Sequence, residues 1–354
     1  MNKAQTGRDA NEEPRSDGLW PFYERLLRRR PGDVLRGIFV AFALGLGFLG
    51  VHYASVGARV FEDSSWFLAF VIAIAAICIY YATDTLRSLC HDIVTRAGAR
   101  TGRIYMDSVS GILSDRRLFF SGLLFGGVNC VFGSVFGLPY RDAIAQSTVL
   151  FGYFVAGFVC GLAVLGVYAI LVAIKEVAQD DDYSFDFAAP DGCGGTAYVG
   201  DALLVFGSVT LLVGVFISIY ILETEWLGGH EWWRVKLQYV WVAFPYLLSL
   251  IAFLAPAWPL HKALEEYKVR EESAMKRQIG EVRAQIQDKT NDAARQKELR
   301  ELMLFQQTLR LQLYKMRTWP FDLDTQMKYC AVAGANVAGS WATVSKWLRG
   351  HPFT

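Results

Sequence analysis

Four aspartates near the middle of the chain have side chains that could bind a metal ion. They are Asp180, Asp181, Asp182 and Asp186. Carboxylate oxygens are the hard ligands that Mg²⁺ and Ca²⁺ prefer, so this run could collect a divalent cation. The run has neither a repeated ligand spacing nor the glycine of an EF-hand loop, so the sequence does not define a metal for it.

A glycine-rich loop follows the aspartates, and residues 190–195 read Pro-Asp-Gly-Cys-Gly-Gly. Glycine permits positive φ, so successive backbone N–H groups of this loop could point at an anion. The aspartate could instead cap the turn or the next helix and seat loop 175–201 against a membrane. The ligand or loop candidates are Asp191, Gly192, Cys193, Gly194 and Gly195.

Three glycine pairs with four-residue spacing lie in the apolar segments 118–137 and 149–174. Residues four apart share one face of a helix, and glycines there let two backbones approach closely. Such faces are compatible with helix packing and also with a pore wall or a hinge. The candidates for packing or pore lining are Gly122, Gly126, Gly133, Gly137, Gly157 and Gly161.

No motif in the sequence predicts catalysis. The chain has no G-x-S-x-G, Walker, H-E-x-x-H or dinucleotide-binding string in a fitting context. Its six cysteines are scattered without a C-x-x-C pair, which favours reduced packing residues over disulfides or metal ligands. We therefore expect no enzyme activity, no catalytic residue and no cofactor.

The elements that position these candidates are membrane helices. Hydrophobic residues make up 53% of the 354 residues and charged residues only 19%, whereas soluble domains are about 25% charged. A transmembrane helix needs about 20 largely apolar residues. Six segments have roughly this character: 37–57, 66–82, 118–137, 149–174, 202–222 and 237–258. The sequence predicts an all-α, polytopic helical membrane protein whose membrane domain is 37–258.

The arginines between the spans predict the orientation, because cytoplasmic loops retain Lys and Arg. Residues 83–117 carry six arginines, whereas loops 58–65 and 138–148 carry one each. We therefore expect the first of these loops in the cytoplasm, with the acidic loop 175–201 on the same side. The polar N-terminus 1–36 is then also cytoplasmic, and its basic end can lie on lipid headgroups. A multi-pass protein of the inner or plasma membrane is predicted, and nucleic-acid binding is not.

Residues 259–318 carry two apolar stripes at helical spacing. The stripes are Met275, Ile279, Val282 and Ile286, and then Leu299, Leu302, Leu309, Leu313 and Met316. A polar break at 287–294 separates them, which predicts a cytoplasmic antiparallel helical hairpin; a single straight coiled-coil stalk is the alternative. A hairpin would return the chain to the bilayer. Within 319–354, segment 329–345 could then form a seventh embedded segment or an interfacial helix.

Two short strings resemble features of a widespread group of uncharacterised prokaryotic multi-span membrane proteins. One is the loop 190–195, and the other is Trp319-Pro320-Phe321-Asp322 after the charged helices. The resemblance covers residues 190–322 at most, and the group has no known activity. It implies only that a span, then charged helices, then Trp-Pro-Phe-Asp is an order of elements that recurs in this group.

Two functions suit these features. The leading hypothesis is an oligomeric channel or pore with a cytoplasmic helical regulatory region, because the spans are rich in glycine and poor in charge. The alternative is a membrane-anchored signalling or scaffold protein whose cytoplasmic helices bind a protein partner. Besides the lipid bilayer, the expected partners are further copies of the chain and possible cytoplasmic proteins bound to the hairpin.

Overall fold

The computed structural model describes residues 34–61, 65–138, 142–180, 183, 185–224, 232–287 and 293–321, together with 327, 328, 330, 331 and 334. The N-terminal segment 1–33, the turn 288–292 and nearly all of 329–345 lie outside these residues. The expected headgroup-binding N-terminus and the seventh embedded segment therefore stay predictions.

The described chain consists of helices and connecting turns, with no strand among its described residues. The order is α1 Val34–Val56, a 3₁₀ turn Gly57–Phe61, α2 Ser65–Ala97, α3 Ala99–Ile112, α4 Asp115–Phe136, α5 Ala143–Ala178, α6 Ala197–Glu223, α7 Trp232–Leu254, α8 Ala257–Gln287 and α9 Ala293–Lys315.

Six stretches of helix are long and apolar enough to cross a membrane. They are Leu35–Val60, Ser65–Ala97, Asp115–Phe136, Ala143–Ala178, Ala197–Leu222 and Val240–Gln287. Each contains most or all of one of the six predicted segments. The prediction of an all-helical fold with six helices able to span a membrane is confirmed.

Helices α2 and α5 extend well past their apolar segments. Helix α2 has 33 residues and α5 has 36, which corresponds to about 50 Å each at 1.5 Å per residue. The hydrocarbon core of a bilayer is only about 30 Å thick. The C-terminal ends of both helices continue beyond the apolar run, and the amphipathic helix α3 packs against them there.

Two apolar clusters fill the interior. The first, which includes Phe48, Val149 and Tyr220, lies towards the end of the helices where α1 finishes and α5 begins. The second lies towards the opposite end and draws on α2, α3, α5, α6, α8 and α9. Residues of α9 and of the segment after it therefore share a core with the membrane helices.

Helices α8 and α9 contact each other in antiparallel order. Gln306 donates to Gln278 at 3.4 Å, and Arg310 lies 3.5 Å from Glu272. The contact buries Met275, Val282, Leu299 and Leu313. The predicted stripe was wrong at Leu302, whose side chain is 43% exposed. The face of α9 that carries Leu299 and Leu313 packs against α8 instead.

Candidate functional site

The glycine-rich loop is closed around the carboxylate of Asp191. One oxygen, Oδ1, accepts hydrogen bonds from the backbone N–H of Cys193 at 2.9 Å and of Gly195 at 3.1 Å. The other, Oδ2, accepts from the N–H of Ala197, the first residue of α6, at 3.1 Å. A carboxylate at a helix N-terminus stabilises the unpaired N–H groups and the positive end of the helix dipole. The side chain of Asp191 thus occupies the position that a bound anion would take.

The glycines of this loop are needed for its shape. Gly192, Gly194 and Gly195 have φ of 64°, 68° and 83°, a left-handed conformation that other residues rarely adopt. Gly194 also lies so close to α8 that an added Cβ would be 2.9 Å from a methyl carbon of Leu264. Cys193 is fully buried between these turns.

The same loop contacts the segment that follows α9. The backbone N–H of Arg317 donates to the carbonyl oxygen of Gly192 at 2.8 Å. An added Cβ on Gly194 would lie 2.7 Å from Cε of Met316. We call this contact region, formed by residues 191–195 and 316–321 with the α8 side chains that touch them, the hairpin junction.

Aromatic rings complete the hairpin junction. The ring of His261 stacks on Trp319 with centroids 4.3 Å apart, and its Nδ1 lies 3.0 Å from the carbonyl oxygen of Thr318. Phe321 stacks on Phe253 near the end of α7 at 4.6 Å. The backbone at Pro320 approaches Gly200 of α6 so closely that no side chain fits there. Helix α9 ends at Lys315, four residues before Trp319.

One lysine caps the end of α9. The ammonium group of Lys268 donates to the carbonyl oxygens of Tyr314 at 3.0 Å and of Met316 at 2.7 Å. The last carbonyls of a helix have no partner within the helix, and a cation there also suits the helix dipole. Sequence reasoning missed this residue, because the bond joins positions 46 and 48 residues apart.

The aspartates proposed as metal ligands have protein partners where the structure describes them. Asp180 accepts a hydrogen bond from the hydroxyl of Thr101 at 2.8 Å and lies 3.9 Å from Arg100. Asp186 accepts from the backbone N–H of Ala188 at 2.8 Å. Asp181 and Asp182 lie outside the described residues. Within the described part of the chain, no group of three or more His, Cys, Asp or Glu side chains could hold a metal ion.

A pair of tyrosines, the half-buried Tyr183 and the buried Tyr198, lies close to Asp180. The hydroxyls of Tyr183 and Tyr198 are 3.1 Å apart, and the guanidinium of Arg96 lies 4.8 Å from the centre of the Tyr198 ring. Burial raises the pKa of Tyr183 well above its ordinary value, so its hydroxyl stays protonated and can donate. The C-terminal end of α2 is thereby held against Tyr183 and the first turn of α6.

The glycine pairs pack α4 against α5 within one chain. An added Cβ at Gly157 would lie 2.5 Å from the carbonyl oxygen of Phe125, and one at Gly161 would lie 2.5 Å from that of Ser121. The glycines of α4 face aromatic rings of α5: Gly122 faces Phe158, Gly126 faces Phe154 and Gly133 faces Tyr153. Gly137, with φ of 77°, ends α4.

Several polar side chains within the apolar spans form hydrogen bonds to a neighbouring span. His52 is fully buried and its Nδ1 lies 2.7 Å from the hydroxyl of Thr148. The hydroxyls of Tyr153 and Tyr220 are 2.6 Å apart. Asn129 donates to the carbonyl oxygen of Tyr153 at 2.7 Å. These pairs link the spans and satisfy groups that would be costly to bury alone.

A small cavity of about 100 Å³ lies among α2, α5, α6 and α7. Its walls are mainly aliphatic and aromatic side chains, with the hydroxyls of Thr83 and Thr210 among them. Such a lining suits an apolar molecule and offers little to replace the hydration shell of an ion.

Comparison with known proteins finds no matching family model, no matching curated protein and no matching solved structure. The resemblance of residues 190–195 and 319–322 to a multi-span group stays a prediction. The described parts of both strings nevertheless meet in the hairpin junction.

Proposed function

We propose that this chain is a membrane-anchored signalling or scaffold protein whose helices α8 and α9 bind a cytoplasmic protein partner. The observation that carries the proposal is the exposed apolar face of α9. Leu304 and Leu311 are each 62% exposed, and Tyr314 is 79% exposed. Large apolar side chains left exposed on a charged helix are typical of a surface that another protein covers.

The geometry of this face suits a helical partner. Leu304 and Leu311 are seven residues apart and therefore share one side of α9. Next to them a groove of about 530 Å³ runs between α8 and α9, and its lining includes Leu311 and Tyr314 together with Glu272 and Arg310. An amphipathic helix can place its apolar residues in such a groove and its charged residues at the rim. A second copy of this chain is the competing occupant.

The hairpin junction supports a signalling role, because it joins the partner-binding helices to the membrane helices. Met316 and Phe321 belong to the same buried cluster as Ile170 of α5 and Leu203 of α6. Close-packed interiors transmit displacements instead of absorbing them. A partner that shifts α9 would therefore also shift the ends of these spans.

We also propose that α8 and α9 form a cytoplasmic hairpin and that the N-terminus lies on the same side of an inner or plasma membrane. The six arginines of residues 83–117 support this orientation. Segment 329–345 is proposed to return to that membrane face, either embedded or interfacial. Phe321 supports the return, because its ring packs on Phe253 of a spanning helix. The order of span, charged helices and Trp-Pro-Phe would then follow the plan of the multi-span group.

The pore hypothesis has less support from the geometry. The glycine faces that could have lined a pore are filled by contacts between α4 and α5 of the same chain. The cavity among the spans is small and apolar. A conducting path would have to form between several copies of the chain.

Ion flux separates the two functions. The full-length chain is reconstituted in liposomes, with an established channel in parallel as the positive control, and flux is recorded while voltage, pH and Ca²⁺ are varied. The proposed function predicts no more flux than empty liposomes show. Robust, protein-dependent conductance would overturn it and restore the channel hypothesis.

A further inference from the structure

A second cavity, of about 550 Å³, lies between the C-terminal end of α5 and the beginning of α8. One face of α8 forms a wall, on which Lys262, Glu266 and Arg270 follow each other at four-residue spacing. Lys175, in the last turn of α5, faces them. The cavity is thus built between a spanning helix and the root of the hairpin.

Its position along the helices corresponds to the headgroup layer of a bilayer. The cavity lining includes Trp258, which is 53% exposed and comes four residues after the end of α7 at Leu254. Tryptophan is enriched at the boundary between hydrocarbon and headgroups. Lys175 follows directly after the apolar segment 149–174. Lys262 lies 6.0 Å from the centre of the Trp258 ring, within cation–π range.

The charges of the described residues that line this cavity are mainly positive. In the described part of the chain, no ion pair within 4.0 Å involves Lys175, Lys262 or Arg270. Asp180 also lines the cavity, but its carboxylate accepts from Thr101 and lies near Arg100. Among the described lining residues, three side-chain cations therefore outnumber the two carboxylates, those of Asp180 and Glu266.

We propose that this cavity binds the phosphate group of an anionic phospholipid. Arg270 offers the planar fork of donors that grips phosphate oxygens in pairs, and the two lysines add mobile charges. Basic pockets between membrane helices at the cytoplasmic face bind anionic headgroups by this combination. The aromatic rings of Phe185 and Tyr267, 5.5 Å apart, give the glycerol backbone an apolar surface. The inference does not depend on which protein the hairpin binds.

The test uses the full-length protein in detergent, freed of native lipid. Binding of phosphatidylglycerol is measured by native mass spectrometry and by the shift in thermal unfolding, with phosphatidylcholine as the neutral lipid. The triple variant Lys175→Gln, Lys262→Gln and Arg270→Gln should bind phosphatidylglycerol roughly a hundredfold more weakly, since one basic residue at an anionic surface contributes about fivefold. The single variant Lys262→Gln should bind phosphatidylglycerol about fivefold more weakly. It replaces the triple variant in the test if the triple variant does not fold.

A matched control changes the same net charge on exposed arginines near the far end of the hairpin: Arg277→Gln, Arg283→Gln and Arg300→Gln. This variant should bind phosphatidylglycerol as wild type does. If both triple variants bound phosphatidylglycerol equally weakly, the effect would come from general surface charge, and the proposed site would be wrong. Equal binding of phosphatidylcholine would also overturn it. Inorganic phosphate or glycerol phosphate that stabilises the protein as much as the lipid would contradict a lipid ligand and indicate a soluble phosphate compound.

Discussion

The contact between α4 and α5 predicts that one added methyl group at Gly157 weakens the fold. A Cβ at this position would lie 2.5 Å from the carbonyl oxygen of Phe125 and 2.9 Å from the Cα of Gly126. Carbon and carbonyl oxygen atoms normally approach no closer than about 3.3 Å. The Cβ of Asn129 also lies 2.8 Å away. None of these three atoms moves when a side chain rotates, so the two helices must separate.

The change in the free energy of unfolding for Gly157→Ala is the sum of two opposing contributions. Replacement of glycine by alanine favours a helix by about 1 kcal/mol, whereas overpacking of a well-filled contact costs about 1–3 kcal/mol. Gly166, on the same helix, has open space where its Cβ would be, with no atom within 4 Å. The propensity term is common to both variants. Gly157→Ala should therefore be about 1–3 kcal/mol less stable than Gly166→Ala.

Reversible unfolding of the purified chain in mixed detergent and SDS micelles measures this difference. Gly127→Ala on α4, which also has open space around it, is a second control. The separated helices would also strain the hydrogen bond of 2.8 Å from the Ser121 hydroxyl to the carbonyl of Gly161. The reasoning fails if Gly157→Ala is as stable as the two control variants, because the backbones could not then approach as closely as described.

Three further predictions concern the hairpin junction and the orientation. Asp191→Ala should lower the free energy of unfolding by about 2–3 kcal/mol, because three N–H groups lose a charged acceptor, and a variant as stable as wild type in chemical denaturation would contradict the cap. Lys268→Met should lower the free energy of unfolding by about 1–2 kcal/mol, because α9 loses its cap. Lys276→Met removes only an exposed ion pair and should lower it by at most about 1 kcal/mol. Equal losses in the two variants would argue against capping. Single cysteines at positions 100 and 285, in a variant without the native cysteines, should resist an impermeant maleimide applied to intact cells, and efficient labelling of either would reverse the proposed orientation.

The spans could be predicted from sequence, but their full lengths could not. An apolar run of about 20 residues in a helix has few explanations besides a membrane. Polar and charged residues interrupt the apolar character after position 82, so the apolar segment 66–82 gave no sign that α2 continues to Ala97. Its extension is stabilised by packing against α3 and α5, which depends on parts of the chain far away in sequence. The same holds for α5, which continues to Ala178.

The candidate site was partly accessible from sequence. A glycine-rich loop with an aspartate suggested either an anion site or a cap, and the carboxylate of Asp191 does occupy the loop. The spacing of Gly157 and Gly161 identified a packing face but not its partner, since a spacing is the same whether the neighbour belongs to one chain or two. The stacking of His261 on Trp319 depends on where the chain reverses between α8 and α9, and a local pattern does not contain that information.

Site-specific photo-crosslinking in living cells tests the central claim most directly. A photoreactive amino acid is placed at position 304 or 311 on the exposed face of α9, and at position 283 on α8 as a matched exposed control. The proposed function predicts a discrete adduct with one identifiable cytoplasmic protein from positions 304 and 311, and none from position 283. The absence of any adduct, or an adduct of two copies of the 39.6 kDa chain, would contradict partner binding by this face.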